Sequence, residues 1–263
     1  MGYNSIIFEK RDGVAYITLN RPDDANALDL EMAEELHRAA MDCDQDAAVR
    51  AVLITGKGRM FCAGGDLKFF HTSEEGTEPL LMRVTMYFHR AISIFNRMDA
   101  PVVMAINGTA AGGGFSFAIS GDVAFAAESA KFTLAYTAAG LSPDGSSTYL
   151  LPRFIGLRRA KELMLTNRVL SAAEAADYGI VDRVVADSEL LAAAEAQARA
   201  FAAGPTQAYG AVKRLLEGTF KESLETQMEL ESRSISSLAA GRDGSEGIAA
   251  FAEKRKPDFT GEG

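Results

Sequence analysis

The chain has 263 residues, 48% of them hydrophobic, enough for one large core or a core with an appendage. A formal net charge of −9 and a pI near 5.0 work against a surface that tracks nucleic acid or anionic lipid, and favour a small-molecule partner. Two cysteines, Cys43 and Cys62, make neither a disulfide framework nor a metal-ligand spacing, so a reducing compartment is expected. The opening "MGYNSIIFEKRDG" has no positive flank followed by an apolar run, and Gly2 with Ser5 is a poor match to a myristoylation signal. No apolar run approaches the roughly 18 residues of a membrane span, and a cytoplasmic protein is the expectation.

In chain order, "VAYITLN" (14–20) alternates as a strand does, with "IIFEKRDG" as its hairpin partner through a turn at Asp12-Gly13. Ala33, Leu36, Ala40 and Met41 recur at helical spacing over 29–42. "AVLITG" (51–56) lacks alternation and predicts a strand buried on both faces. After the loop "GKGRMFCAGGDL", the residues Leu81, Val84, Phe88, Ile92 and Phe95 form an apolar helical stripe that proline stops near Asp99-Ala100-Pro101. "VVMAI" and "DVAFAA" follow as buried strands, with a glycine segment and a short helix between them. Strand and helix therefore alternate through the first half, which predicts an α/β fold with right-handed crossovers.

The second half reads differently. "SAAE" (171–174) is a capping box, and helical stretches are expected over 187–203, 205–217, 224–240 and 244–254. These helices carry more apolar face than a small lobe covers, so they should pack on the core or on another subunit. No internal repeat or low-complexity linker interrupts the chain.

Two glycine-bearing loops leave strands in the same way: "ITGKGRMFCAGGDL" and "INGTAAGGGFS". In an α/β sheet both emerge at carboxyl ends of strands, where ligands bind, so the two can meet. Neither closes with the Gly-Lys-Ser/Thr of a phosphate loop, and neither has the dinucleotide spacing Gly-x-Gly-x-x-Gly. Two readings of Gly112 to Gly114 remain open: backbone N–H donors aimed at a partial negative charge, or close helix packing.

The segments "LNRPDDANAL", "FCAGGDL", "PVVMAINGTAAGGGFSFAISGDVAFAAESAKF", "GLSPDGSSTYLLPRFIG" and "EGIAAFAEKRKPDF" resemble, in order and spacing, those of the crotonase (enoyl-CoA hydratase/isomerase) superfamily. The resemblance implies a crotonase α/β fold, a spiral of β-β-α turns, with a helical C-terminal trimerisation region. It divides the chain into a core over 1–200 holding an acyl-CoA site and a helical region over 201–263 for oligomerisation and closure of that site. It also implies that a thioester oxygen lies between the N–H groups of Gly65 and Gly113. Substrate contacts are implied at Ala25, Ala27, Ala63, Gly64, Asp66, Leu67, His89, Ser116 and Tyr136. The partners implied are an acyl-CoA and further copies of the chain, as a homotrimer or a dimer of trimers, without nucleic acid or membrane. No metal or cofactor is implied, because CoA arrives as part of the substrate.

The departures from the family pattern narrow the chemistry. Hydratases of the family carry two glutamates at positions that here hold Ser116 and Tyr136. "GLSPDGSS" instead offers Asp144 among small and apolar residues, where loss of water makes a carboxylate a stronger base. One carboxylate suffices to move a proton along one face of a substrate. The segment resembles the isomerases of phenylacetate breakdown, whose catalytic aspartate falls at Asp144. The expectation is therefore an enoyl-CoA isomerase with Asp144 as base. The competing local reading of Asp144 is a helix N-cap. The first alternative activity is hydration, with Tyr136 or His89 positioning water.

His89, beside Phe88 and Ile92, reads locally as a satisfied core or pocket residue. The resemblance supplies a third chemistry, since His89 and Asp144 match the histidine and aspartate of the 4-chlorobenzoyl-CoA dehalogenase branch. Those enzymes surround the ring with tryptophan, whereas this chain has none and offers Tyr87, Phe88 and Tyr136. A branch that binds AU-rich RNA and a catalytically silent paralogue are the non-enzymatic alternatives, the former disfavoured by the acidic balance. Of the remaining polar groups, His37 and His71 are expected in solvent, Asp66 at a helix start, and Cys62 as a small buried residue. Lys254 to Lys256 read as a solvated helix end or as contacts to CoA phosphates.

Overall fold

The computed structural model describes residues 2–262. β1 (Ile6–Arg11) and β2 (Val14–Leu19) pair antiparallel across Asp12 and Gly13, both at positive φ, which matches the right-handed strand twist. α1 (Leu30–Gln45) begins at Asp29, whose side chain accepts from the Met32 N–H at 2.8 Å. It buries Met32, Ala33, Leu36, Ala39, Ala40 and Cys43, one apolar stripe, and packs on a later long helix, α3.

β3 (Ala51–Gly56) runs parallel to β2 and leads to the short β4 (Met60–Cys62) and α2 (Leu67–His71). α3 spans Thr77–Arg97 and buries Leu80, Val84, Phe88, Ala91, Ile92 and Phe95. β5 (Val102–Ile106), β6 (Thr109–Ala111), α4 (Gly113–Ala118), β7 (Val123–Ala127) and β8 (Lys131–Thr133) follow. α5 (Ser147–Ile155), α6 (Leu157–Thr166), β9 (Leu170–Ser171), α7 (Ala172–Asp177) and β10 (Arg183–Val185) complete the α/β part. The capping box is present, with Ser171 and Glu174 satisfying one another's backbone N–H groups.

Six strands form one sheet in the order β1-β2-β3-β5-β7-β10, parallel except for the first hairpin. β5 is buried at every residue, as a strand covered on both faces must be. A second sheet, β4-β6-β8-β9, lies inside and beyond the segments that the sequence reads as loops. Its strands have two or three residues, too few for any periodicity to register.

α8 (Leu190–Ala202) lies across β2, β3, β5 and β7 on Leu190, Ala194, Ala198 and Ala202, a stripe of mostly small residues that lets it approach the sheet. α9 (Thr206–Gly218) contacts α3, while α10 (Leu224–Ala240) has no buried residue and packs mainly on α9 and α11 (Arg242–Glu253). The four C-terminal helices thus divide between the core and a face left open. No helix among the described residues is long and apolar enough to cross a membrane.

Candidate active site

The loops after β3 and β5 converge. Leu28 bridges Gly65: the Leu28 N–H donates to the Gly64 carbonyl at 2.7 Å and the Asp66 N–H donates to the Leu28 carbonyl at 2.9 Å. In a parallel bridge these bonds belong to the flanking residues, so the N–H of Gly65 points away from Leu28. Gly65 lines a cavity of about 550 Å³, with Gly112 and Gly113 on the same lining. Gly64 sits against the second loop, where a methyl group on it would be 2.8 Å from the Ala111 carbonyl and 3.0 Å from the Gly113 nitrogen.

Each of the three consecutive glycines answers a different need. Gly112 takes φ 52° and ψ −125°, a combination closed to residues with a Cβ, and turns the chain into α4. Gly113 is the first residue of α4, so its N–H has no acceptor within the helix, and the residue lines the cavity. Gly114 packs on β4, where a methyl group would collide with the Cys62 carbonyl. The packing reading therefore holds at Gly114, and Gly113 remains the candidate donor on the cavity lining.

Opposite this ledge stands Asp144. Its Oδ1 accepts from the Tyr136 hydroxyl at 2.7 Å, and its Oδ2 lies 2.9 Å from His89 Nε2. The Tyr136 hydroxyl is 2.9 Å from Ser116 Oγ, so two side chains meet the carboxylate and a third backs one of them. Asp144 is not a helix cap: α5 starts at Ser147, and the Asp144 carbonyl, not its side chain, accepts from the Ser147 N–H and hydroxyl. The Asp144 side chain is 30% exposed and that of His89 47%, so the carboxylate keeps contact with solvent as well as with Tyr136 and His89. Burial and the Asp144 charge push the Tyr136 hydroxyl well above the ordinary phenol range, which keeps it a donor.

Several expected positions lie elsewhere. Ser116 does not line the cavity: it is fully buried within α4, behind Tyr136, because the helix turns its side chain back toward the Gly112 carbonyl. Ala25, Ala27, Gly64 and Asp66 also lie off the lining, whereas Ala63, Leu67 and Tyr136 are on it. The Ala25 carbonyl accepts from the Ala63 N–H at 3.0 Å, and the Ala27 carbonyl accepts from Arg21. Asp66 caps α2 through the Phe69 N–H and pairs with Arg21 at 3.1 Å, the helix-start role. His89 is not a core residue, and Tyr87 faces His37 instead of the cavity. His37 is half-buried, with burial lowering its pKa, because the Tyr87 ring covers it, while His71 is exposed. Lys254, Arg255 and Lys256 are exposed, and Arg255 pairs with Glu246 and Glu253.

The lining from α2 and α3 escapes motif reading. Phe70, Leu81, Val84, Thr85 and Phe88 face the cavity, and the apolar stripe that signals core along α3 serves both. Glu78, in the first turn of α3, is the other carboxylate on the lining. Cys62 is buried beneath the ledge, where burial pushes its thiol up to about 12. Among the described residues no cluster of His, Cys, Asp or Glu forms a metal-holding group.

Bare backbone from two glycine loops and one carboxylate line the same cavity, on an α/β fold of short parallel strands. The enoyl-CoA hydratase/isomerase family model matches residues 9–262. The chain belongs to this family, the crotonase superfamily. It is 38% identical over 258 residues to the 1,2-epoxyphenylacetyl-CoA isomerase of Escherichia coli, covering 97% of this chain and 98% of that one. It is 34% identical to 4-chlorobenzoyl coenzyme A dehalogenase-2 of an Arthrobacter species, over 95% and 91% of the two chains. The solved structure of an enoyl-CoA hydratase from Bacillus anthracis superposes with a TM-score of 0.92 at 34% identity, covering 98% of this chain and all of that one, 100%.

Proposed function

We propose that the protein binds an enoyl-CoA, holds its thioester oxygen between the N–H groups of Gly65 and Gly113, and shifts the carbon–carbon double bond through an enolate with Asp144 as base. The observation that carries this reading is one cavity lined by both glycines and by Asp144. Two preorganised donors favour the charge that develops on the oxygen as the carbon–hydrogen bond breaks. Asp144 removes the proton from one carbon and returns it to another on the same face. Hydration draws less support, because a buried serine and a tyrosine bonded to Asp144 stand where two glutamates would be. CoA enters with the substrate, and the reading calls for no metal or further cofactor.

The test supplies a 3-enoyl-CoA and, separately, a 2-enoyl-CoA to the wild type and to Asp144→Asn. Conjugation of the first substrate, abolished in the variant, is the expected result. Water addition to the second at a comparable rate would replace isomerisation by hydration. A hydrolytic reading is favoured by the 2.9 Å contact between His89 and Asp144. In it, Asp144 attacks an aromatic carbon and displaces a halide, and His89 takes a proton from the water that opens the aryl ester. Chloride release from 4-chlorobenzoyl-CoA, with no enoyl isomerisation, would put this reading first.

The proposal includes assembly as a trimer or a dimer of trimers. Leu224, Met228 and Ile235 stand exposed on α10 and Phe251 on α11, which supports a covering subunit. Light scattering that returned the mass of one chain would overturn it.

A further inference from the structure

His89 and Asp144 stand on opposite sides of one wall. Asp144 lines the glycine-bearing cavity and not a second cavity, of about 600 Å³, between α3, α5 and α9; His89 lines the second and not the first. Their side chains nevertheless meet at 2.9 Å. The wall is this thin because Gly145, at φ +59°, lays bare backbone on the aromatic core, where a methyl group would be 2.8 Å from both Phe88 Cε1 and Ser116 Cβ. The same residue aims its N–H at His89 Nε2, 3.1 Å away. While Asp144 is ionised its Oδ2 competes for a proton on Nε2; once Asp144 is protonated, the Gly145 donor favours the imidazole tautomer with Nε2 bare, the one able to accept that proton. On the far side, Ser93, Asn96, Asp122 and Lys213 bring polar groups to the second cavity, the last two paired at 2.8 Å. The site therefore has a side-chain link, through His89, to a second cavity that the glycine-bearing one does not include.

Resting on the isomerase reading, we propose that His89 passes the proton taken by Asp144 to water in the second cavity. The substrate carbon–hydrogen bond breaks, its electron pair enters the enolate, and its proton bonds to Asp144 Oδ2. The proton then moves to His89 Nε2, restoring the carboxylate and leaving an imidazolium. The imidazolium releases its other proton, from Nδ1, to water. The reverse sequence brings a solvent proton to Asp144 and on to the enolate carbon, so charge and atoms balance with water alone as co-reactant. The transferred hydrogen in the product is accordingly solvent-derived, although one carboxylate could have returned the original.

The test is turnover of a 3-enoyl-CoA in deuterated water, with deuterium per product molecule read by mass. The wild type is expected to place deuterium at the transferred position in most molecules. In His89→Ala, incorporation per turnover falls about fivefold or more, and added imidazole restores it. Ser93→Phe, which fills the second cavity one helical turn further along α3, lowers incorporation without touching Asp144 or Tyr136, and decides the matter if His89→Ala does not fold. Incorporation unchanged in both variants, or absent in the wild type, overturns the proton outlet while leaving isomerisation in place. A wild type that turns over no enoyl-CoA removes the isomerase reading and the outlet together.

Discussion

Two sides of one cavity are built from different material. The ledge is main chain: Gly65 and Gly113 line the cavity from two loops that touch at Gly64. The wall is side chain: Tyr136 and Asp144, from the segment after β8 and the segment before α5, backed by Ser116 of α4 and His89 of α3, which stand off the lining. A main-chain donor is fixed by the path of the backbone and cannot change rotamer. A side-chain base depends on every neighbour that holds it. The ledge should therefore fail through geometry and the wall through chemistry.

The largest expected effect lies in the wall. Asp144→Asn keeps the size and the contacts to Tyr136 and His89 but removes the base, and kcat should fall by about 10²–10⁴ while CoA binding persists. A change under tenfold would move the base elsewhere, with Glu78 the next carboxylate on the lining. In the ledge, Gly113→Pro deletes one N–H at the first position of α4, where a helix accepts proline. Its expected cost is on the order of 10²–10³ in kcat with the circular dichroism spectrum retained. Gly114→Ala should do the opposite: it lowers unfolding stability by roughly 1–3 kcal/mol through the collision with Cys62, and the chemistry follows only as folding allows. If both glycine variants lost stability alike, the distinction between donor and packing residue would collapse.

A smaller effect tests the wall's internal order. Tyr136→Phe removes the 2.7 Å hydrogen bond to Asp144 and should lower kcat about tenfold with little change in KM, since one hydrogen bond is at stake. Ser116→Ala acts one bond further back and should cost less. Equal losses, or a change confined to KM, would make Tyr136 a substrate contact and not a positioning residue.

The same contrast explains what could be read in advance. The hairpin, α1, the buried strands and the glycine loops rest on neighbours in sequence, where turn chemistry and apolar periodicity speak directly. The glycine loops are legible for that reason, but Gly65 and Gly113 as donors follow only from resemblance, and Gly113 and Gly114 look identical until Cys62 is placed behind one of them. The wall is legible only through resemblance, which supplies Asp144 and its match with His89. His89 stands 55 residues away from it, and the local pattern beside Phe88 reads only as a core or pocket residue. Ser116 was assigned to the substrate because a one-residue rotation on a six-residue helix separates lining from core. The second sheet escaped because two-residue and three-residue strands have no pattern of their own.

The smallest expected effect bears on what supports the ledge. Burial pushes the Cys62 thiol from its ordinary value of 9.0 up to about 12, against a weaker opposing pull from the Gly64 N–H, which donates to Sγ at 3.4 Å. Above pH 9.0 the unfolded chain gives up this proton while the folded chain keeps it, so the folded state binds more protons and its stability falls as pH rises. The contribution is fully present below pH 9.0 and is lost as pH climbs toward about 12. Cys43, on the buried face of α1, is displaced in the same direction. Urea unfolding at pH 8 and pH 10 should therefore show a loss that Cys62→Ala reduces by roughly 1.4 kcal/mol and that Asp144→Asn leaves unchanged. An equal loss in Cys62→Ala would mean that water reaches the sulfur beneath the ledge. The main-chain donors would then rest on a looser floor than the packing of Cys62 against Gly114 implies.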